Sequence, residues 1–324
     1  MRDTTANKSK VKEIFDEIEQ IAPYLKDENR DDYVEFRKRF GDILPQWTEY
    51  SISPLNEELG IMTRGVGSDF EDEIKSYLKA SGIMEKNIRF FDSVRRYFPD
   101  VNILAKRDFN IEKTFNFTFY WQHLIPIRHL LRLGARYKIS KDVLGFFEEA
   151  ALLMRSQSVY IGMGFNPPDD VSFKVFFANS LRKSTSYIAP ALSALMAKLG
   201  LSAKAINYFI GFHNFLFPVA TGSVFTSIGF SDKIPHSVKL DYEIVPLQHA
   251  LQMMRALDLA EDQEDRLKKT MEILDIKRIT YVGIKFSPGR KPGIKFYFDR
   301  RYSEKNRDNP EVLADFLQNS IWTP

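Results

Sequence analysis

The sequence predicts an α+β fold, a ten-stranded antiparallel β-barrel of five αα-ββ repeats with an outer ring of helices. Three features of the chain lead there. Paired helical segments alternate with paired strands along most of the 324 residues, an order-of-elements repeat with no sequence identity between the copies. Hairpins in series would leave exposed sheet edges unless the sheet closes on itself. The strands alternate apolar with polar side chains, as a wall does when helices cover its outside and the inside is free to be something else. A parallel eight-stranded barrel needs single strands between single helices, which these hairpin turns contradict.

The elements follow in order. Helices are expected over 10–24, where Val11, Ile14, Phe15, Ile18 and Ile21 recur at helical spacing, and over 31–44. Strands 47–53 and 59–67 form the first hairpin. Helices 69–80 and 86–97 precede strands 101–107 and 112–121, and helices 126–137 and 141–155 precede strands 158–165 and 171–178. The fourth round has helices within 180–199 and 202–217, then strands 223–230 and 237–245. The fifth has helices 247–259 and 262–274, then strands 278–286 and 293–301. A short helix over 309–321 follows. No linker or composition break divides the chain, so residues 1–324 read as a single domain with repeats at 10–67, 69–121, 126–178, 180–245 and 247–301.

Composition removes several classes of function. A chain with 44% hydrophobic and 27% charged residues is globular rather than disordered. It has no cysteine, hence no disulfide framework, thiolate metal site or cysteine nucleophile. Its five histidines include no HExxH arrangement. A formal charge of +3 is too balanced for a nucleic-acid binder. Residues 205–231 carry no Asp, Glu, Lys or Arg, but Asn207, His213, Asn214, Pro218 and Thr221 interrupt them. They read as a buried helix, a turn and a strand, not a membrane span. With no apolar leader at the start, the expected location is the cytoplasm. No nucleic-acid or membrane partner is expected, and a monomer is.

If helices cover the barrel, the apolar strand faces point outward and the polar faces inward. Phe173, Val175 and Phe177 alternate with Ser172, Lys174 and Phe176; Val238, Leu240, Tyr242 and Ile244 alternate with Lys239, Asp241 and Glu243. In the last hairpin, Val282, Ile284 and Phe286 alternate with Gly283 and Lys285, and Ile294, Phe296 and Phe298 with Gly293, Lys295 and Tyr297. Each second strand carries a basic residue: Arg64, Lys113, Lys174, Lys239 and Lys295. The inner face of the strand bearing Lys113 is left open, because Phe115, Phe117 and Phe119 alternate with Thr114, Asn116 and Thr118. Several ammonium groups in a closed interior persist only when a polyanion or internal carboxylates balance them. Asp241 and Glu243 balance part of that charge; a diphosphate would balance more. Neither GxxxxGK[ST] nor GxGxxG occurs, so a nucleotide held at a helix N-terminus is disfavoured. Gly162, Gly164, Gly229 and Gly283 lie on inward faces, where a missing side chain leaves room for a ligand.

The aromatic content, 27 Phe and 14 Tyr against 3 Trp, then has a use. Inward Tyr160, Phe176, Phe225, Tyr281 and Tyr297 would line a chamber beside the cations, and an aromatic face stabilises a cation by about 0.5 to 2 kcal/mol. Lysines holding an anion beside rings shielding a carbocation describe a site that ionises an allylic diphosphate.

At these residues the chain resembles the soluble aromatic prenyltransferases of the ABBA, or PT-barrel, family. "EKTFNFTF" at 112–119 is similar to the basic-Thr-aromatic strand in which that family places a diphosphate lysine, here Lys113. "FKVFF" at 173–177 resembles its Lys-x-Tyr strand, giving Lys174 and Phe176, with Phe in place of the shielding Tyr. "HSVKLDYEIVP" at 236–246 looks like the fourth-hairpin strand, with Lys239 as the diphosphate ligand. "GIKFSPGRKPGIKFYF" at 283–298 resembles the last hairpin, with Lys295 and Tyr297 as its Lys-x-Tyr pair and Lys285 on the preceding strand. The resemblance implies transfer of an isoprenoid from a prenyl diphosphate to an electron-rich aromatic acceptor. Magnesium-dependent members carry Asp on the second strand of the first hairpin; "GIMTRGVG" at 60–67 offers Arg64 instead, which implies that Mg2+ is dispensable and no cofactor is required. By inward parity Asp241 and Glu243 are the candidate bases, beside Tyr297 as a shielding ring.

Two other readings compete. "DDYVE" at 31–35 mimics the DDxxD/E magnesium motif of helical terpenoid synthases, but no second acidic motif follows and half the chain reads as strands. The acidic run 261–265 reads likewise as a solvated helix start. A barrel that carries an anionic hydrophobic metabolite without reaction would use the same lysines and rings.

Overall fold

The computed structural model describes residues 29–299, apart from 41–47, 55–57, 66, 99–101, 110–115, 167–169, 181–184, 221–222, 232–233, 258–260 and 274–278. The expected helices over 10–24 and 309–321 lie outside the described residues, as does Lys113. Nine helices and ten strands are described. The first repeat holds α1 (Arg30–Phe40), β1 (Thr48–Ser53) and β2 (Glu58–Gly65); the second holds α2 (Ser68–Ala80), α3 (Glu85–Arg95), β3 (Ile103–Phe109) and β4 (Asn116–Pro126). The third holds α4 (Ile127–Arg136), α5 (Lys141–Leu153), β5 (Ser158–Asn166) and β6 (Asp170–Ser180). The fourth holds α6 (Thr185–Lys198), α7 (Ala203–Leu216), β7 (Ser223–Phe230) and β8 (Pro235–Val245). The fifth holds α8 (Leu247–Ala256), α9 (Glu261–Ile273), β9 (Ile279–Phe286) and β10 (Gly293–Asp299).

Each strand pairs antiparallel with its sequence neighbours, and β1 pairs with β10 through Tyr50–Phe298 and Ser51–Tyr297 to close the barrel. Closure removes the free edges that five hairpins in a row would otherwise expose. Residues 205–231 divide into α7 and β7, and among the described residues no helix is long and apolar enough to cross a membrane.

Local chemistry sets the joints between elements. Pro126 and Pro246 sit at the N-caps of α4 and α8 with extended backbone, so β4 and β8 turn straight into helices where no backbone N–H is needed. Ser140 and Ser202 cap α5 and α7 by accepting from the N–H of Val143 (3.2 Å) and Ala205 (3.3 Å). Within the helical pairs, Gly82 and Gly200 take left-handed backbone (φ 80° and 77°) after α2 and α6. Lys138 occupies the equivalent position after α4 at φ 60°, where a side chain is less comfortable.

The large core lies between barrel and helices. Phe117, Phe119 and Trp121 on the outer face of β4 are fully buried against them. Phe117 meets Phe36 and Phe40 of α1 and Tyr77 of α2 at ring separations of 6.3, 5.9 and 5.3 Å, and Trp121 stacks on Phe98 at 4.7 Å. Inside the barrel is a second, small apolar cluster of Met62, Leu104, Tyr120, Tyr160 and Phe176.

Three strands depart from expectation. β3 runs on through Asp108 and Phe109 instead of ending at Arg107. β4 continues past Trp121 to Pro126 through an irregularity between Trp121 and Ile125, since Gln122 and His123 break the apolar alternation without ending the backbone pairing. On β8 the expected outward Ile244 has φ 53°, and the strand changes phase there, so that Val245 joins the helix-facing core in its place.

Candidate active site

The inward strand faces enclose one cavity of about 240 Å³. Five lysines from four hairpins line it: Lys106 on β3, Lys174 on β6, Lys239 on β8, Lys285 on β9 and Lys295 on β10. Four carboxylates face them: Glu49 on β1, Glu58 on β2, Asp108 on β3 and Asp241 on β8. The aromatic part of the wall is Tyr120, Phe176, Phe225, Tyr281 and Tyr297.

Strand register explains how so many long side chains fit. Lys174 lies between Gly162 on β5 and Gly229 on β7, Lys295 is opposite Gly283, and Lys285 is opposite Gly293. A Cβ added at Gly162 would stand 2.5 Å from the Tyr120 ring, and one at Gly283 would run into Asp241 and Lys239. Both positions require the absence of a side chain because the neighbouring strand supplies one.

The carboxylates divide the lysines into two sets. Lys295 is held between Glu58 and Asp108, its Nζ donating to Asp108 at 2.9 Å. Lys106 pairs with the same Asp108 oxygen at 2.8 Å. Lys239 pairs with Asp241, donates to the Tyr297 hydroxyl at 2.6 Å and lies 4.5 Å from that ring's centre. Lys174, by contrast, reaches only the Tyr120 hydroxyl, at 3.4 Å, and neither it nor Lys285 has a carboxylate partner among the described residues.

The electrostatics follow from these pairings. Burial pulls Lys174 and Lys106 below the usual ammonium range, with Asp108 opposing the shift in both. Lys239 is pushed down to about 8 by burial, with Asp241 restoring part of the loss. Lys285, opposite Lys239 in the register, is also pushed down to about 8. Solvent reaches it at the cavity mouth, yet barrel wall encloses it, and Lys174 and Lys295 add like charge. Lys295 is the exception: burial opposes its charge, but Asp108 and Glu58 outweigh burial and hold it above its ordinary value. Burial would raise the Asp108 carboxyl, and Lys106 and Lys295 overcome that to hold it far below the carboxylate range. Burial pushes the Tyr120 hydroxyl up to about 12 and Tyr297 well above its usual value, so both stay neutral hydrogen-bonding groups near neutral pH.

Of the residues singled out in the sequence, Lys174, Lys239, Lys285, Lys295, Asp241, Tyr297, Phe176, Phe225 and Tyr281 line this cavity together. Arg64 and Tyr160 do not. Arg64 shares the inward parity of Glu58 and Met62 but sits at the far end of β2, opposite Leu104 of the small apolar cluster to which Tyr160 also belongs. Glu243 is buried on the same inner face of β8 as Asp241, two residues further along and outside the cavity lining, accepting a hydrogen bond from the Tyr281 hydroxyl at 3.0 Å. The "DDYVE" carboxylates Asp31, Asp32 and Glu35 are exposed on α1, where Asp32 faces Arg107 at 3.5 Å. Among the described residues no group of three or more His, Asp or Glu could hold a metal ion.

Sequence reasoning missed Lys106, Asp108, Glu58, Glu49 and Tyr120. In "ILAKRDF" both faces mix charged with apolar residues, so alternation alone does not choose between Lys106 with Asp108 and Arg107 with Phe109. The usable signal was Gly60, which marks the inner face of β2 and stands directly opposite Asp108.

No family model matches the sequence, and no curated protein matches it. Solved structures do match by shape. The 6-dimethylallyltryptophan synthase from Micromonospora olivasterospora, in complex with DMASPP and Trp, superposes with a TM-score of 0.61 at 14% identity over 90% of this chain and 98% of its own. The prenyltransferase PriB, in ternary complex with L-tryptophan and dimethylallyl thiolodiphosphate, gives 0.60 at 11% over 90% and 97%. NotF in complex with brevianamide F and DMSPP gives 0.64 at 12% over 88% and 91%. Agreement over almost the full length of each chain, on top of ten strands closed in sequence order, means that this protein has the PT-barrel fold of the aromatic prenyltransferases.

Proposed function

We propose that the protein is an aromatic prenyltransferase, moving an allylic isoprenoid from a prenyl diphosphate to an electron-rich aromatic small molecule. The observation that carries this reading is the convergence of five lysines from four hairpins on one cavity that also presents five aromatic rings. The fold neighbours crystallised with dimethylallyl thiolodiphosphate and L-tryptophan, or with DMSPP and brevianamide F, support it.

Among the described residues Lys174 and Lys285 have no carboxylate partner, and they receive the diphosphate; Lys106, Lys239 and Lys295 complete the cationic wall. As the bond between the allylic carbon and its diphosphate oxygen breaks, these groups stabilise the charge that develops on the leaving group. Tyr120, Phe176, Phe225, Tyr281 and Tyr297 shield the allylic cation from water. A ring carbon of the acceptor forms the new bond, and its proton passes to a carboxylate, Asp241 at the wall or Glu243 through Tyr281. Incubation with dimethylallyl, geranyl and farnesyl diphosphates and a panel of indolic and phenolic acceptors tests the reading. A prenylated arene with stoichiometric diphosphate is expected. Binding of the donor with no diphosphate release under any acceptor would instead favour a carrier.

Because ammonium groups supply the positive charge, activity is expected to persist in EDTA within about twofold of its untreated value. A tenfold loss restored by Mg2+ would overturn this.

Donor affinity should depend on pH with a definite sign. Lys239 and Lys285 hold their protons below about 8 and lose them as pH rises through it, while the donor's terminal phosphate is already ionised over this range. Affinity is therefore expected to be flat near pH 7 and to weaken by about tenfold or more by pH 9.5. Calorimetric titration with dimethylallyl thiolodiphosphate at several pH values would show this, and constant affinity across the range would contradict it.

A further inference from the structure

The cavity wall pairs its lysines with carboxylates of the same chain. Asp108 is 4% exposed and serves as the acceptor for Lys106 on its own strand and for Lys295, which comes from β10 on the other side of β1 and β2. Glu58, at the start of β2, takes the same Lys295 from another side. Gly60 opposes Asp108 in the register, and a Cβ there would collide with the Asp108 carboxylate and stand 3.0 Å from Lys106 Cε. The wall is thus shaped around this carboxylate and its two lysines.

Three of the five lysines consequently meet carboxylates of the chain itself, and among the described residues two do not. A diphosphate that arrives at Lys174 and Lys285 and reaches on to Lys106 and Lys295 meets the negative charge of Asp108, which already engages those two lysines. Buried like charges a few ångströms apart interact strongly because little water screens them. The competition acts equally on the diphosphate produced by the reaction, which must leave before the next donor enters.

We propose that Asp108, assisted by Glu58, is an internal counter-anion. It holds Lys106 and Lys295 in place in the empty barrel and weakens retention of diphosphate, so that the product is released. Asp108 acts through the lysines and is a positioning residue. This rests on the reading that the cavity takes a diphosphate.

Titration calorimetry with inorganic diphosphate at pH 6.5, below the range in which Lys239 and Lys285 lose protons, tests both ideas on the full chain. Asp108→Asn, which keeps shape and removes charge, is expected to bind diphosphate about tenfold more tightly than wild type, or about 1.4 kcal/mol. Glu58→Gln is expected to change affinity in the same direction by about threefold. In turnover assays both variants should show product inhibition at correspondingly lower diphosphate concentrations. A gain of affinity is a readout that damage to a purely structural ion pair would not produce. Unchanged or weaker binding in the variants, with wild type binding normally, overturns the counter-anion role alone. No diphosphate binding by wild type overturns the functional reading itself. If Asp108→Asn does not fold, Glu58→Gln at the cavity mouth decides.

Discussion

Replacing Lys174 by Ala is expected to lower prenyl-transfer turnover by about 100-fold or more while leaving the protein folded. Lys174 stands midway round the cavity wall between two glycines, reaches only the Tyr120 hydroxyl and has no carboxylate partner among the described residues. A half-buried ammonium with no carboxylate partner among the described residues costs free energy, and burial pulls its pKa down for the same reason. Its removal should therefore leave the melting temperature unchanged or slightly raised. A structural lysine would behave in the opposite way, with its loss reducing stability and sparing chemistry. Steady-state kinetics beside a thermal melt separates the two, and wild-type turnover in the variant would remove Lys174 from the diphosphate site.

The second large effect concerns the wall rather than the cavity. Phe117→Ala should destabilise the protein by about 3–5 kcal/mol. The ring is completely buried, and its partners come from two helices, Phe36 and Phe40 on α1 and Tyr77 on α2. Removing it leaves a void that three other rings cannot fill without leaving their own contacts. It faces away from the cavity, so donor binding in the protein that remains folded should be close to normal. Chemical denaturation would measure the loss, and a change below about 1 kcal/mol would show that the outer layer is less tightly packed than its geometry indicates.

These two residues also mark how far the amino-acid pattern could be read. Phe117 and Lys174 both belong to period-2 strands, and alternation was enough to place Lys174 inward with Ser172 and Phe176, opposite the helix-facing Phe173, Val175 and Phe177. It worked equally for Lys239 and Asp241, for Lys285, and for Lys295 with Tyr297, because their strands are apolar on one face and polar on the other. On β4, Asn116 and Tyr120 line the cavity while Phe117 and Phe119 pack against helices, a choice the pattern of rings and hydroxyls left open. On β3 alternation chooses neither face. Arg107, 3% exposed, is buried in the helix-facing layer with its guanidinium over the Phe109 ring and near Asp32, so both faces of that strand carry charge. Arg64 shows another limit, since alternation selects a face but says nothing about height along the barrel axis.

By itself the sequence determined the repeat of helical and strand pairs, the closed antiparallel barrel that follows from it, and the inner face of most strands, because each of these depends on patterns within a few neighbouring residues. Only the tertiary structure decided which lysine meets which carboxylate, that Asp108 joins Lys106 to Lys295, and that Arg64 lies outside the cavity lining. Those contacts join strands far apart in the chain, and they depend on register summed around ten strands, which no local pattern encodes.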